Sequence, residues 1–283
     1  MSESNKAAFI GLGSMGAPIA RRLARSGYGV VACDVSPAAL QAFDEPGTVR
    51  EPDPMTAARQ AKLLGICVRT DEQLEQLVNG GALFAAVGDG GLVILHSTVA
   101  PALARRLAAQ AQRSGVDLID VGVSGGGPAA IEGKLSLFVG GGATAVERAR
   151  PWLDAIGKSV AWLGPVGRGL EGKLLNNLIS IANYGMSAAI VDVGGRLGFD
   201  IGQLTQALMA GSAQSFALKV SPGWVTKSAS NTPARLHDLH DLLKKDVEHA
   251  RALLPADDPA MAALLASCEA MLARLRMAAA QAT

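Results

Sequence analysis

Three glycines near the N-terminus have the spacing that a nucleotide diphosphate requires. Gly11-Leu12-Gly13-Ser14-Met15-Gly16 fits GxGxxG, follows an apolar run that predicts a strand, and opens an amphipathic pattern that predicts a helix. Gly11 permits a tight turn, Gly13 lets a phosphate approach the backbone, and Gly16 lets the helix pack on the strand. The N–H groups at the start of such a helix attract anions. We therefore predict that residues 11–16 bind the pyrophosphate of a dinucleotide, the alternative being a glycine turn without a ligand.

An acidic residue stands where a dinucleotide site holds its ribose. Asp34 ends the second predicted strand, about 20 residues after the first glycine. A carboxylate there accepts hydrogen bonds from the ribose hydroxyls and repels a 2′-phosphate, and residues 35–39 contain no arginine. The pattern predicts NAD as the preferred cofactor, with NADP as the second option. The alternative for Asp34 is a turn residue, because Ser36-Pro37 begins a helix.

Two kinds of pattern follow one another along the chain. Up to Leu163 short apolar runs alternate with amphipathic helices, which predicts an α/β domain with a mostly parallel sheet. Beyond the breaker Gly164-Pro165-Val166-Gly167 only helical patterns occur, led by a long helix over residues 169–197. We therefore predict a Rossmann-like dinucleotide-binding domain at 1–163, then a long interdomain helix and an all-α domain within 164–283. The predicted strands are 7–10, 30–33, 63–68, 92–96, 118–121, 137–139 and 160–163, and the other predicted helices are 15–26, 71–78, 101–114, 145–156, 201–209, 236–254 and 259–277.

Composition restricts the partners. The 283 residues carry a net charge of +1, which gives no strong field to attract nucleic acid. The polar start has no apolar signal core, and we expect no membrane span. The three separated cysteines suggest neither a disulfide framework nor a thiolate zinc site. We therefore expect a cytoplasmic protein.

Three further motifs, together with the glycine turn, resemble the β-hydroxyacid dehydrogenase family. They are Asp120-Val121-Gly122-Val123-Ser124-Gly125-Gly126 with the glycines at 140 and 141, the stretch 167–177 containing Lys173 and Asn177, and Lys245-Asp246. The order and spacing match the family from about Phe9 to Arg251. The resemblance implies the fold predicted above, NAD(P)-dependent oxidation of a short 3-hydroxy acid or reduction of its semialdehyde, and a homodimer or homotetramer.

The resemblance also implies roles for individual residues. Hydride transfer at an alcohol carbon needs an acid/base group for the hydroxyl proton, and the family makes Lys173 that group. Asn177, four residues later on the same helix face, becomes a substrate ligand. The loop Ser124, Gly125 and Gly126 grips the substrate carboxylate. Val68, Thr98 and Lys245 are assigned to the cofactor.

Simpler interpretations exist for several of these residues. Lys173 and Lys245 could be solvated charges on amphipathic helices, and Thr98 could cap the helix that Pro101 begins. A metal interpretation is invited by His237, Asp238, His240, Asp241 and His249, and His237 and His240 could share one helix face. Without a known third ligand beside that pair, we interpret them as solvated helix residues and expect no metal.

The chain departs from the family pattern at Arg69-Thr70, His96, Gly122, Asp238 and the final segment from Met271 to Thr283.

Three rival hypotheses remain for the function. The first is an imine reductase, which would not need Lys173, and the second is a 6-phosphogluconate dehydrogenase, which is longer. The third is a catalytically silent NAD-binding protein.

Overall fold

The computed structural model describes residues 6–225, 232–255 and 257–281. These residues form two compact units that divide between Lys173 and Leu174. The first unit has two hydrophobic cores, and the second unit has one of its own. The first unit extends beyond the predicted boundary at residue 163 because the beginning of the long helix packs on the sheet.

The first unit is built on one eight-stranded sheet of order β3-β2-β1-β4-β5-β6-β7-β8. Every neighbouring pair is parallel except β6 and β7, which are antiparallel. The carboxyl ends of β1, β2, β4, β5 and β6 therefore lie at the same edge, where open α/β sheets bind their ligands. The strands are β1 Lys6–Ile10, β2 Gly29–Cys33, β3 Val49–Arg50, β4 Leu63–Ile66, β5 Leu92–Leu95, β6 Asp117–Ser124, β7 Leu135–Gly140 and β8 Gly157–Gly164.

Helices cover both faces of this sheet because its central strands are apolar on both sides. One core contains residues of α3, α5 and α6, and the other contains residues of α1 and α8. The helices of the first unit are α1 Gly16–Arg25, α2 Pro37–Ala42, α3 Pro54–Arg59, α4 Asp71–Val78, α5 Ala82–Val87, α6 Pro101–Gln112, α7 Gly126–Ile131 and α8 Ala143–Ile156. This arrangement confirms the predicted α/β fold class.

The long helix α9, Arg168–Arg196, begins in the first unit and continues into the second. Its residues from Leu174 to Ala182 share a core with α12 and α13. The described residues beyond α9 form α10 Ile201–Ala210, α11 Phe216–Val225, α12 Pro233–Arg251 and α13 Pro259–Gln281, with no strand among them. The predicted helical C-terminal part is therefore confirmed.

Helix α9 is the one described helix whose length and composition would allow it to cross a bilayer, with a mean hydropathy of 1.3 over its best window. The core helix of a globular protein meets the same criterion. Leu170 is fully buried in the core of the first unit, and Leu174 is fully buried in the core of the second.

A buried histidine follows strand β5. His96 is stacked on Phe9 and Trp152, and its Nε2 accepts a hydrogen bond from Trp152 Nε1 at 3.2 Å. Burial lowers the pKa of His96 to about 4. The imidazole is therefore neutral at pH 7 and serves as an aromatic core residue.

Candidate active site

The predicted phosphate-binding turn connects β1 to α1 with glycines that meet different constraints. Gly11 has a φ of 97°, and a Cβ on it would overlap the carbonyl oxygen of Cys67. A Cβ on Gly16 would overlap the carbonyl oxygen of Gly11. A Cβ on Gly13 would meet no atom within 4 Å. The close backbone packing of the turn therefore requires glycine at positions 11 and 16, whereas Gly13 presents bare backbone to open space.

Other predicted site residues lie in the same unit, at the ends of neighbouring strands. Val68 N–H donates to Ser97 Oγ at 2.8 Å, which ties the segment after β4 to the segment after β5 and places Thr98 next to this link. Gly127, beyond the predicted substrate loop, approaches the glycine turn so closely that its Cβ would lie 3.3 Å from Ser14 O. The structure thus brings the predicted cofactor turn and the predicted substrate loop together.

The half-buried carboxylate of Asp34 is held by two backbone donors. Leu12 N–H donates to Asp34 Oδ2 at 2.6 Å, and Ser36 N–H donates to Asp34 Oδ1 at 2.8 Å. The first bond fixes the glycine turn to the end of β2. Each carboxylate oxygen keeps a second lone pair for another donor.

Asp34 and Arg50 line one concavity of about 280 Å³, together with Val35, Pro37 and Leu40. Arg50 is held by a hydrogen bond from its Nε to Phe43 O at 2.9 Å. Sequence reasoning missed Arg50 because it stands on β3, a two-residue strand too short to give an apolar pattern.

Lys173 lies against the strand that leads to the substrate loop. A Cβ on Gly122 would lie 2.5 Å from Lys173 Cβ, so the lysine stem occupies the space that a side chain at 122 would need. Only 9% of Lys173 is exposed. Gly122 and Ser124 are two residues apart in β6 and therefore face the same side of the sheet. The loop after Ser124 continues through Gly125 and Gly126, with φ of 134° and 75°.

In the second unit a buried aspartate joins two predicted site residues. Asn177 Nδ2 donates to Asp246 Oδ2 at 2.6 Å, and Lys245 Nζ lies 3.5 Å from Asp246 Oδ1. Asn176 Nδ2 donates to Asn177 Oδ1 at 3.2 Å. Asp246 is 5% exposed. Its contact with Asn177 was missed, although the Lys-Asp pair was the signal that could have found it.

The histidines that invite a metal interpretation lie on helix α12. Among the described residues no group of three or more His, Cys, Asp or Glu side chains is placed to hold a metal ion. His240 Nδ1 lies 2.9 Å from Asp241 Oδ1, an exposed carboxylate beside it in the sequence.

Comparison with known proteins identifies the family. Residues 6–164, more than half of the chain, match the NAD-binding domain of 6-phosphogluconate dehydrogenase. An NAD-dependent L-serine dehydrogenase and a 3-hydroxyisobutyrate dehydrogenase from Pseudomonas aeruginosa are each 33% identical over 219 residues, which are 77% of this chain and 73% of each relative. The chain belongs to the β-hydroxyacid dehydrogenase family.

Solved structures agree with this membership. A Mycobacterium tuberculosis 3-hydroxyisobutyrate dehydrogenase, solved with L-serine, is 25% identical and superposes with a TM-score of 0.81 over 96% of this chain and 94% of its own. An imine reductase from Pseudomonas sp. is 17% identical, with a TM-score of 0.68 over 96% of this chain and 93% of its own, which shows a shared fold alone.

The residues of this β-hydroxyacid dehydrogenase fit a nicotinamide dinucleotide. The open space at Gly13, the start of helix α1 and the carboxylate of Asp34 all lie at one edge of the sheet. A pyrophosphate can approach the bare backbone there, and a ribose can reach the carboxylate.

Alanine substitutions should distinguish the glycine that faces open space from a glycine that is packed against the turn, because the first should change NAD binding and the second should change stability. Gly13→Ala adds a methyl group to open space, so the melting temperature should stay within about 2 °C of wild type while NAD binding weakens about tenfold or more. Gly16→Ala adds the same methyl group against the carbonyl oxygen of Gly11 and should destabilise the fold by about 1–3 kcal/mol. Calorimetric melting and NAD titration measure both effects. A Gly13→Ala protein with unchanged NAD affinity would contradict the assignment of this turn.

Proposed function

We propose that this chain transfers a hydride between NAD and a short 3-hydroxy acid or its semialdehyde, with Lys173 as general acid/base. The observation that carries the proposal is the placement of Lys173. It is nine-tenths buried, belongs to the same unit as the glycine turn, and lies against the strand that ends at Ser124.

Lys173 can manage the substrate proton in both directions. The nicotinamide, when bound, supplies the group that accepts or donates the hydride. In oxidation the neutral amine of Lys173 takes the proton from the substrate hydroxyl. In reduction its ammonium form stabilises the developing alkoxide and returns a proton to it.

The loop after β6 suits the substrate carboxylate. Ser124 supplies a hydroxyl donor, and Gly125 and Gly126 expose their backbone N–H groups without a Cβ. We assign these three residues to carboxylate binding. The positive φ of both glycines restricts the loop conformation to one that other residues rarely adopt.

Asn177 is the second proposed substrate ligand. It lies four residues after Lys173 in α9, so both side chains project from one helix face. Its bond to Asp246 uses one amide hydrogen and fixes the amide plane, which leaves the other hydrogen for the substrate. Lys245, which pairs with the same carboxylate, is proposed to bind the cofactor together with Val68 and Thr98.

The alternatives explain the buried lysine less well. An imine reductase on this fold has no need of Lys173, and neither does a silent NAD-binding protein. Lys173 is only 9% exposed, which is unlike the placement of a solvated lysine on a helix surface.

We also propose a cytoplasmic homodimer or homotetramer that binds neither nucleic acid nor a membrane. The apolar side chains of Met186, Ile190 and Val193 are exposed along α9, as expected of a surface that a second copy covers. The three cysteines form no disulfide, which suits a reducing compartment.

The preference for NAD is tested at Asp34. Asp34→Ala removes the acceptor for the ribose hydroxyls and the repulsion of a 2′-phosphate, and it leaves Arg50 as the cation of the same concavity. The ratio of kcat/KM for NAD to that for NADP should therefore fall about tenfold or more. Steady-state rates with both cofactors measure this ratio. Wild-type protein that already prefers NADP would overturn our assignment.

The role of Lys173 is tested by substitution. Lys173→Ala should lower kcat by a factor of about 10² to 10⁴, because the hydroxyl proton loses its acceptor, while the dissociation constant for NAD stays unchanged. The matched control is Lys244→Ala, an exposed lysine that pairs with Glu248 on α12. Wild-type turnover in Lys173→Ala would contradict the proposed function.

A further inference from the structure

The carboxylate of Asp120 is completely buried in β6, and no step of the proposed chemistry uses it. Its Oδ1 accepts a hydrogen bond from Gly167 N–H at 2.7 Å, and its Oδ2 accepts one from Leu170 N–H at 2.8 Å. These donors lie at the start of α9, where backbone N–H groups have no partner within the helix. Strand β6 therefore caps a helix that begins about 50 residues later in the chain.

The start of α9 also touches the backbone of the sheet. A Cβ on Gly169 would lie 2.5 Å from Phe138 O and 2.7 Å from Asp120 O. A Cβ on Gly140 would lie 2.5 Å from Asp120 Oδ1. Only glycine at these two positions allows such a close approach of the helix to the sheet.

A second contact supports the same turn of the helix. Glu171 pairs with Arg105 of α6 at 2.9 Å, but half of the arginine side chain is exposed. Exposed ion pairs contribute little, whereas buried hydrogen bonds to a charged acceptor are strong. Asp120 is therefore the stronger restraint of the two.

We propose that Asp120 is a positioning residue, which fixes the depth and rotation of the first turn of α9 and so the place of Lys173 above Gly122. Lys173 follows Leu170 by three residues, about one helical turn. The inference rests on the proposed role of Lys173. Burial raises the pKa of Asp120 to about 6, while hydrogen bonds from Gly167 and Leu170 act in the opposite direction, so the ionised acceptor predominates at neutral pH.

The test is Asp120→Asn in the full chain. The amide keeps the size of the carboxylate, but its NH₂ group faces one of the two N–H donors and cannot accept from it. We expect kcat to fall about 10- to 100-fold, because a small displacement of a catalytic group is costly. The dissociation constant for NAD, measured by calorimetry well below the melting temperature, should stay within about twofold of wild type.

A double-mutant cycle separates positioning from general loosening of the fold. If Asp120 acts through Lys173, Asp120→Asn should lower the residual turnover of Lys173→Ala by less than about twofold. The matched control is Asp200→Asn, which removes the carboxylate that caps α10 by accepting from Gln203 N–H and should leave kcat unchanged. If Asp120→Asn does not fold, Asp120→Ser, which retains one hydrogen-bond acceptor, takes its place. It is then measured both alone and combined with Lys173→Ala.

The outcomes are distinct. Folded Asp120→Asn protein with wild-type kcat overturns the inference, and so does an equal loss of turnover in the Lys173→Ala background. Wild-type kcat in Lys173→Ala alone instead refutes the proposed function and leaves the capping contact as a purely structural one.

Discussion

The proposed active site depends on a close contact between backbone segments at the start of helix α9. Gly140 and Gly169 let the helix touch β6 and β7, and Gly122 gives Lys173 its space. Asp120 then satisfies two N–H groups that would otherwise be buried without a partner. Lys173 is thereby attached to the same sheet that carries the glycine turn, which is why one unit can hold both the cofactor turn and the acid/base group.

The parallel sheet provides the other half of this arrangement. Because the ends of β1, β4, β5 and β6 meet at one edge, residues distant in sequence become neighbours there. The hydrogen bond from Leu12 to Asp34 and the bond from Val68 to Ser97 are both consequences of this geometry. Each restrains a loop that would otherwise be free to move at the binding edge.

Much of the fold and part of the candidate site could be predicted from the sequence, since the glycine turn, Asp34 and the regular strands are local patterns. The two-residue strand β3 and the six-residue helices α3, α5 and α7 were not predicted, because such short elements complete no period. Arg50 was missed together with β3, whereas the contacts of Asp120 and Asp246 were missed for another reason. The bond of Asp120 to Gly167 spans 47 residues and that of Asp246 to Asn177 spans 69, so only the folded chain reveals them.

Two departures from the family pattern have physical explanations. Gly122 is the residue on which the Lys173 stem lies, and any side chain there would displace it. His96 is neutral and stacked with Phe9 and Trp152, so it serves the core rather than the chemistry. Neither change removes a group that the proposed reaction needs.

Oxidation of a 3-hydroxy acid by the wild-type protein is tested most directly by the rate of NADH formation with a panel of short hydroxy acids, and imine reduction by the rate of NADPH consumption. The panel includes 3-hydroxyisobutyrate, L-serine, glycerate and 3-hydroxypropionate, with the 2-hydroxy acid lactate and a cyclic imine with NADPH as controls. We expect turnover of at least one 3-hydroxy acid and none of lactate or the imine. Reduction of the imine without oxidation of any 3-hydroxy acid would contradict this expectation.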